Sequence, residues 1–291
     1  MNESAWRTVV IDADSRLSFN ANCLVIERDG DTAEIPLPQI RVLMLTSRRI
    51  VLTGVLLNEL LRNEVRLIIC DEKQTPAGEL INYRANVQTA GRIAEQISWS
   101  QEHKEQMWQY IVVAKIAMQS QLLERLQLPE ERLVKYASAV RPGDPDNREG
   151  QASRIYFHRL FGKKFTRDKE IPINSALNYG YAILRSTFDR AIAGYGFHSA
   201  IGIKHCNAFN HFNLSCDLME PFRPFVDEVV YLQGKRPFDR EFKRLLIALP
   251  ETRIKFKKRS VTLAMGVELF ARSTLRNMKD LKHFPGRMDF A

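Results

Sequence analysis

The apolar residues of this chain change their period once, near residues 80–90, and that change limits the architectures open to it. From Trp6 to about Tyr83 the apolar runs are short and rich in Val, Ile and Leu: "RTVVID", "CLVIER", "RVLMLT" and "VRLIIC", with turn chemistry such as "RDGD" between them. Runs of that length bounded by turn residues read as strands. One segment departs from the pattern. "TGVLLNELLRN" spaces Val55, Leu56, Leu60 and Leu61 as a helix does, so a single helix is expected inside the sheet-forming region.

After about residue 85 the spacing becomes helical. In "QEHKEQMWQYIVVAKIAMQSQLLERLQL" the stripe is Met107, Tyr110, Ile111, Ala114, Ala117, Met118 and Leu122, with Ser100 as N-cap. "NSALNYGYAILRSTFDRAIAGYG" aligns Leu177, Tyr181, Leu184, Phe188, Ile192 and Tyr195. "FDREFKRLLIAL" and "SVTLAMGVELFARSTLRNM" add further helices. The expected fold is α+β in two domains: a small N-terminal β domain over residues 1–85 and a larger, mainly α-helical domain over 86–291.

No apolar run approaches the roughly 20 residues that span a bilayer. The start "MNESAWRTVV" lacks the basic flank and apolar stretch of a secretory signal. A soluble, cytoplasmic protein with no membrane partner is expected, its four cysteines reduced. Lys and Arg outnumber Asp and Glu by 43 to 34, and the net charge of +9 favours a polyanionic partner without naming one.

Several polar residues stand where core residues should. In "REGQASRIYFHRLF", Glu149 lies three residues before Ala152, on the face that also carries Ile155, Tyr156 and Leu160. A carboxylate there needs a partner, or it serves the dipole of its own helix. In "CDLMEPFRP", Pro221 opposes a continuous helix and makes Glu220 the residue flanking a new one, with Asp217 ending the turn before. A capped helix start with a surface Glu is the simpler account of that segment. His205, 15 residues before Glu220, joins His211, Cys206 and Cys216 in inviting zinc, but no C-x-x-C knuckle or familiar spacing supports it. Two carboxylates with one imidazole, in a basic helical domain, instead suit Mg²⁺ or Mn²⁺, the nitrogen tilting the site toward Mn²⁺. Beside positive charge, such a site suggests phosphodiester chemistry.

"REGQASRIYFHRLFG", "NSALNYGYAILRS" and "GIKHCNAFNHFNLSCDLMEPFRP", following a β-then-α layout, closely resemble the CRISPR-associated protein 1 family over essentially the whole chain. The form of "DLMEPFRPFVD" looks most like members from type II systems. The resemblance implies an N-terminal domain that builds a homodimer and metal ligands at Glu149, His205 and Glu220, which are also the catalytic residues. His211 does not match a ligand position, and Asp217 would contribute only from behind the ligands or through a water, while Arg223, read from its own place in the segment, would orient the carboxylates. It also implies a dimer of CRISPR-associated protein 2 bridging two such dimers, with the RNA-guided effector nuclease as a further partner. Double-stranded DNA, as spacer precursor and CRISPR repeat, would be joined through 3′ hydroxyl ends by transesterification. The run "RIKFKKRS" makes Lys255, Lys257, Lys258 and Arg259 the candidates for DNA-backbone contact, against a solvated loop before a helix near Ser260. Two other readings are a metal-dependent endonuclease that hydrolyses branched or single-stranded DNA, and a non-catalytic DNA-binding scaffold.

Overall fold

The computed structural model describes residues 7–72, 74, 76–80, 82, 88–234, 236–279 and 288–290, and the chain divides into two compact units, Met1–Ala85 and Asn86–Ala291. Among the described residues of the first unit there are eight strands, four of them the short apolar runs. Strands β1 (Arg7–Ile11), β5 (Ile40–Leu45), β7 (Arg66–Cys70) and β8 (Pro76–Glu79) make one sheet in the order β1-β5-β7-β8. Strands β2 (Ser15–Asn20), β3 (Cys23–Arg28), β4 (Asp31–Pro36) and β6 (Ile50–Leu52) make a second, in the order β4-β3-β2-β6. The meander β2-β3-β4 is closed by two-residue hairpins at Ala21-Asn22 and Asp29-Gly30, all four residues having φ between 44° and 89°. Such turns twist as the strands do, and "RDGD" is the sequence form of one of them.

Helix α1 (Gly54–Arg62), capped by Thr53, packs Leu56 and Leu60 into one core with Ile11, Leu43, Leu45 and Leu67 of the first sheet and Leu17 and Leu24 of the second. Val55, expected on the buried stripe, is 61% exposed. Leu56 and Leu60, four apart, suffice to seat a two-turn helix, and Val55 falls beside their line.

The second unit is built on α2 (Thr89–Ile97), α3 (Gln101–Arg125), α4 (Arg132–Ser138), α5 (Arg148–Phe161), α6 (Pro172–Gly194), α7 (Asn213–Met219), α8 (Arg223–Gln233), α9 (Arg240–Ala248) and α10 (Leu263–Asn277). Ser100 caps α3 by accepting from His103 N–H at 3.2 Å. The buried stripe of α3 differs from the expected one: Ala117 is exposed, while Lys115 and Gln119 are buried beside Ile111, Met118 and Leu122. Helix α6, started by Pro172, is buried on most of its surface and packs against α7, α8, α9 and α10. Its Gly180 permits that approach, because a Cβ there would overlap Val226 of α8.

The chain does break at Pro221, though less than expected. Glu220–Phe222 is a single 3₁₀ turn joining α7 to α8, and Glu220 keeps helical angles (φ −51°, ψ −46°) rather than the extended ones favoured before proline. In that conformation its carboxylate is ion-paired with Lys115 and Arg223. The basic run is neither an open loop nor the start of a helix. Strands β9 (Arg253–Phe256) and β10 (Arg259–Thr262) form a hairpin, joined by β11 (Met288–Phe290), and α10 begins only after Thr262 caps it. Among the described residues no helix is long and apolar enough to cross a membrane.

Candidate active site

Glu149 sits in the first turn of α5, yet its carboxylate does not serve that helix end. Asp144 accepts from the N–H groups of Arg148 and Glu149 at 2.9 and 3.0 Å, and Asn147 accepts from Gly150 at 3.1 Å. With the orphan donors satisfied by two other side chains, the Glu149 carboxylate is free to face α3. There Lys115 donates to Glu149 Oε1 at 2.6 Å, and the same Nζ lies 2.6 Å from Glu220 Oε2. Arg223, the first residue of α8, holds the other oxygen of Glu220 at 2.9 Å and stacks its guanidinium on the Tyr181 ring at 4.5 Å. Two glutamates from separate helices thus flank one ammonium.

The electrostatics of this group follow from its burial. Burial pushes the Glu220 carboxyl up, but Arg223 and Lys115 outweigh it and hold the group well below the usual carboxylate range. Burial likewise lowers Lys115, and the attraction of Glu220 and Glu149 reverses the effect, leaving it above its ordinary value. Glu220, Lys115 and Arg223 are therefore charged at neutral pH. A cavity of about 300 Å³ opens onto them, lined also by Gln119, Ser153, Arg167, Tyr181 and Asp227.

His205 lies in the segment between α6 and α7, positioned by one acid. Asp217, fully buried in α7, accepts from the backbone N–H groups of Ile203, Lys204 and His205 at 2.6, 3.0 and 3.1 Å, and its Oδ1 is 2.6 Å from His205 Nδ1. Gly202 makes this turn possible, since a Cβ would collide with the His205 carbonyl and crowd Asp217. The bond to Asp217 raises the imidazole above its ordinary value, and the fields of Glu220 and Glu149 reach it in the same sense. With Nδ1 committed, Nε2 is the ring nitrogen left for a ligand.

Asp217 and Arg223 therefore touch His205 and Glu220 directly. The three predicted ligands do not close into one shell: among the described residues no three His, Cys, Asp or Glu side chains are gathered tightly enough to hold a metal ion. That holds equally for the zinc reading, whose His211 and Cys206 are exposed. Lys115 was missed from sequence. Its signal was present, because a lysine four residues after Ile111 and three before Met118 interrupts an apolar stripe.

On the cavity wall, Asp227 accepts from Tyr156 at 2.8 Å and from Tyr181. Burial raises its carboxyl to about 6, the two tyrosines and Arg223 opposing. A raised folded-state pKa means the native protein binds the proton first, so this group's contribution to stability is complete below pH ~3.8 and is lost as pH rises through about 6. Asp227→Asn mimics the protonated form. It should match the wild type near pH 4 and gain on it by roughly 3 kcal/mol by pH 8, at about 1.4 kcal/mol per unit, read from urea unfolding at each pH. A constant difference would contradict the assignment.

The fold and the site together define an α+β protein of two units whose helical unit carries a glutamate pair on one buried ammonium, with His205 held separately by Asp217. The chain belongs to the family of the CRISPR associated protein Cas1, whose model matches residues 8–243. It is 37% identical over 235 residues to a CRISPR-associated endonuclease Cas1 of Neisseria meningitidis serogroup C (strain 8013), covering 79% of this chain and 77% of that one. Among solved structures, a casposase bound to an integration product is similar with a TM-score of 0.78 at 17% identity, over 96% of this chain and 92% of that one. A Cas6-RT-Cas1–Cas2 complex matches with a TM-score of 0.69 at 21% identity, over 96% of this chain and 35% of that one. These two likenesses concern the fold alone. The family resemblance carried by the sequence motifs holds.

Proposed function

We propose that this protein is a metal-dependent DNA integrase of CRISPR adaptation that joins the 3′ hydroxyl ends of short duplexes to the CRISPR repeat. The observation that carries the reading is the pair Glu149 and Glu220 flanking one cation on a cavity wall, with an imidazole fixed by Asp217 in the same electrostatic field. The donor set fits a hard divalent ion. Glu220 Oε2 is buried and, although ion-paired, makes no aligned hydrogen bond, so an acceptor stands ready there. Glu149, Glu220 and Nε2 of His205 would hold Mg²⁺ or Mn²⁺, which supplies charge neutralisation at the phosphate and orientation of the attacking oxygen.

The chain's own groups set the rest. Arg223 keeps Glu220 ionised and stationary, and Asp217 fixes the imidazole. The DNA 3′ oxygen attacks the repeat phosphorus, the new P–O bond replaces the old one, and the displaced 3′ oxygen leaves on the opposite side. Supporting the reading are the names of the relatives, an endonuclease by sequence and a casposase with its integration product by fold. The named Cas1–Cas2 assembly supports CRISPR-associated protein 2 as a partner; its acting as a dimer that bridges two homodimers, each built through the N-terminal unit, is part of the proposal. Membership of a type II system, with its RNA-guided nuclease as a further partner, belongs to the same proposal.

Joining is tested with the purified protein, its bridging partner and duplexes ending in 3′ hydroxyl or 3′ hydrogen. Product only with the hydroxyl and a divalent ion is the expected result. Cleavage that continues with the blocked end would establish the hydrolytic endonuclease instead, and indifference to divalent metal would leave a binding scaffold. Exposed Lys255, Lys257, Lys258 and Arg259 are assigned to the DNA backbone. Lys257 and Lys258 sit at the hairpin tip with φ of 48° and 67°, where asparagine is tolerated. The double variant Lys257→Asn, Lys258→Asn should therefore keep the turn and reduce the slope of log affinity against log salt by up to about 2, at ~0.9 per phosphate contact. Fluorescence anisotropy at four salt concentrations measures it, and an unchanged slope would remove the hairpin from the interface.

A further inference from the structure

The buried position of Lys115 has a use that the joining reaction does not require. Glu220 is already balanced by Arg223 at 2.9 Å, so the ammonium is not needed to neutralise that acid alone. It is shared, 2.6 Å from each glutamate, and among the described residues it is the partner of the Glu149 carboxylate. Without a cation between them, two carboxylates at a buried cavity edge would repel and splay. A divalent ion on either oxygen, at about 2.1 Å, would lie within about 5 Å of the ammonium. Charges of +2 and +1 so close, in a cavity that screens them poorly, exclude each other.

A second observation shows where the ammonium can go. Gln119 stands one turn further along α3, is 2% exposed, and lines the same cavity. Its Nε2 reaches Ser153 Oγ at 3.4 Å, while its Oε1 is buried with no hydrogen-bond partner. A buried carbonyl oxygen without a donor is uncommon, and one at i+4 from a lysine is within reach of that side chain.

We propose that Lys115 is a tethered stand-in cation: it keeps Glu149 and Glu220 converged while no metal is bound, and yields to the divalent ion by moving to Gln119 Oε1. Lys115 is thus a positioning residue that sets the metal affinity of the centre, an assignment that rests on the metal-dependent reading above.

The test uses the full chain as wild type, Lys115→Met, Lys115→Gln and Gln119→Leu, with Mn²⁺ binding followed by calorimetry and melting followed in chelator. Lys115→Met should melt several degrees lower than wild type in chelator and bind Mn²⁺ at least tenfold more tightly. Lys115→Gln, whose amide can donate to the acids without carrying a charge, should fold in chelator and also bind Mn²⁺ more tightly; it carries the comparison if the methionine variant does not fold. Gln119→Leu should melt like wild type in chelator yet bind Mn²⁺ at least threefold more weakly, because the displaced ammonium then lacks an acceptor. Wild-type affinity in both Lys115 variants would overturn this inference and leave the metal centre standing. Absence of Mn²⁺ binding at millimolar concentration in every form would overturn both.

Discussion

Glu149→Gln is expected to reduce strand joining by at least about 10³-fold while leaving thermal unfolding within about 1 kcal/mol of wild type. A correctly held metal contributes several kcal/mol to such a reaction, and about 1.4 kcal/mol is a factor of ten in rate. The Glu149 side chain is 26% exposed, its helix end is capped by Asp144 and Asn147, and Lys115 retains Glu220 when Glu149 loses its charge. A joining assay alongside a melting curve decides it. Activity near wild type would remove Glu149 from the chemistry, and unfolding would show that its role is structural.

Glu220→Ala should behave differently, losing activity and stability together. Its side chain is 5% exposed and is shared by two cations, Lys115 and Arg223, which would be left buried and facing each other. Removing one partner from a buried ion pair typically destabilises by about 3–5 kcal/mol, or roughly 10 °C in melting temperature for a unit of this size. The additional change Arg223→Met should restore part of the stability and none of the joining. Because the Glu220 carboxyl is held well below its ordinary value, its contribution is complete above pH ~4.5 and is lost as pH falls toward 2. The gap between wild type and Glu220→Ala should narrow across that window in acid unfolding. A variant that melts like wild type would contradict the burial of this group.

The two glutamates were equally visible in the sequence, and their difference was not. Glu149 drew attention by lying on an apolar face, and Glu220 by the prolines around it. Either could have been a capping or surface residue. What separates those accounts is the destination of each carboxylate, and both lead to Lys115, 34 residues from one and 105 from the other in the chain. Asp217 shows the same limit. Its spacing from Glu220 was legible, but its service to three backbone N–H groups and the His205 ring depends on a turn that Gly202 alone permits.

The sequence by itself determined the succession of elements: short branched runs closed by turns such as "RDGD", then apolar residues recurring at three and four, with a break at Pro221. These are properties of neighbours along the chain, and backbone geometry reads them locally. Tertiary structure alone decided that Lys115 and Gln119 point inward, that Val55 and Ala117 point outward, and that the basic run folds as a hairpin. Those outcomes depend on what an opposing helix or strand presents, and the energy of a buried charge is set by a partner whose position no local pattern encodes.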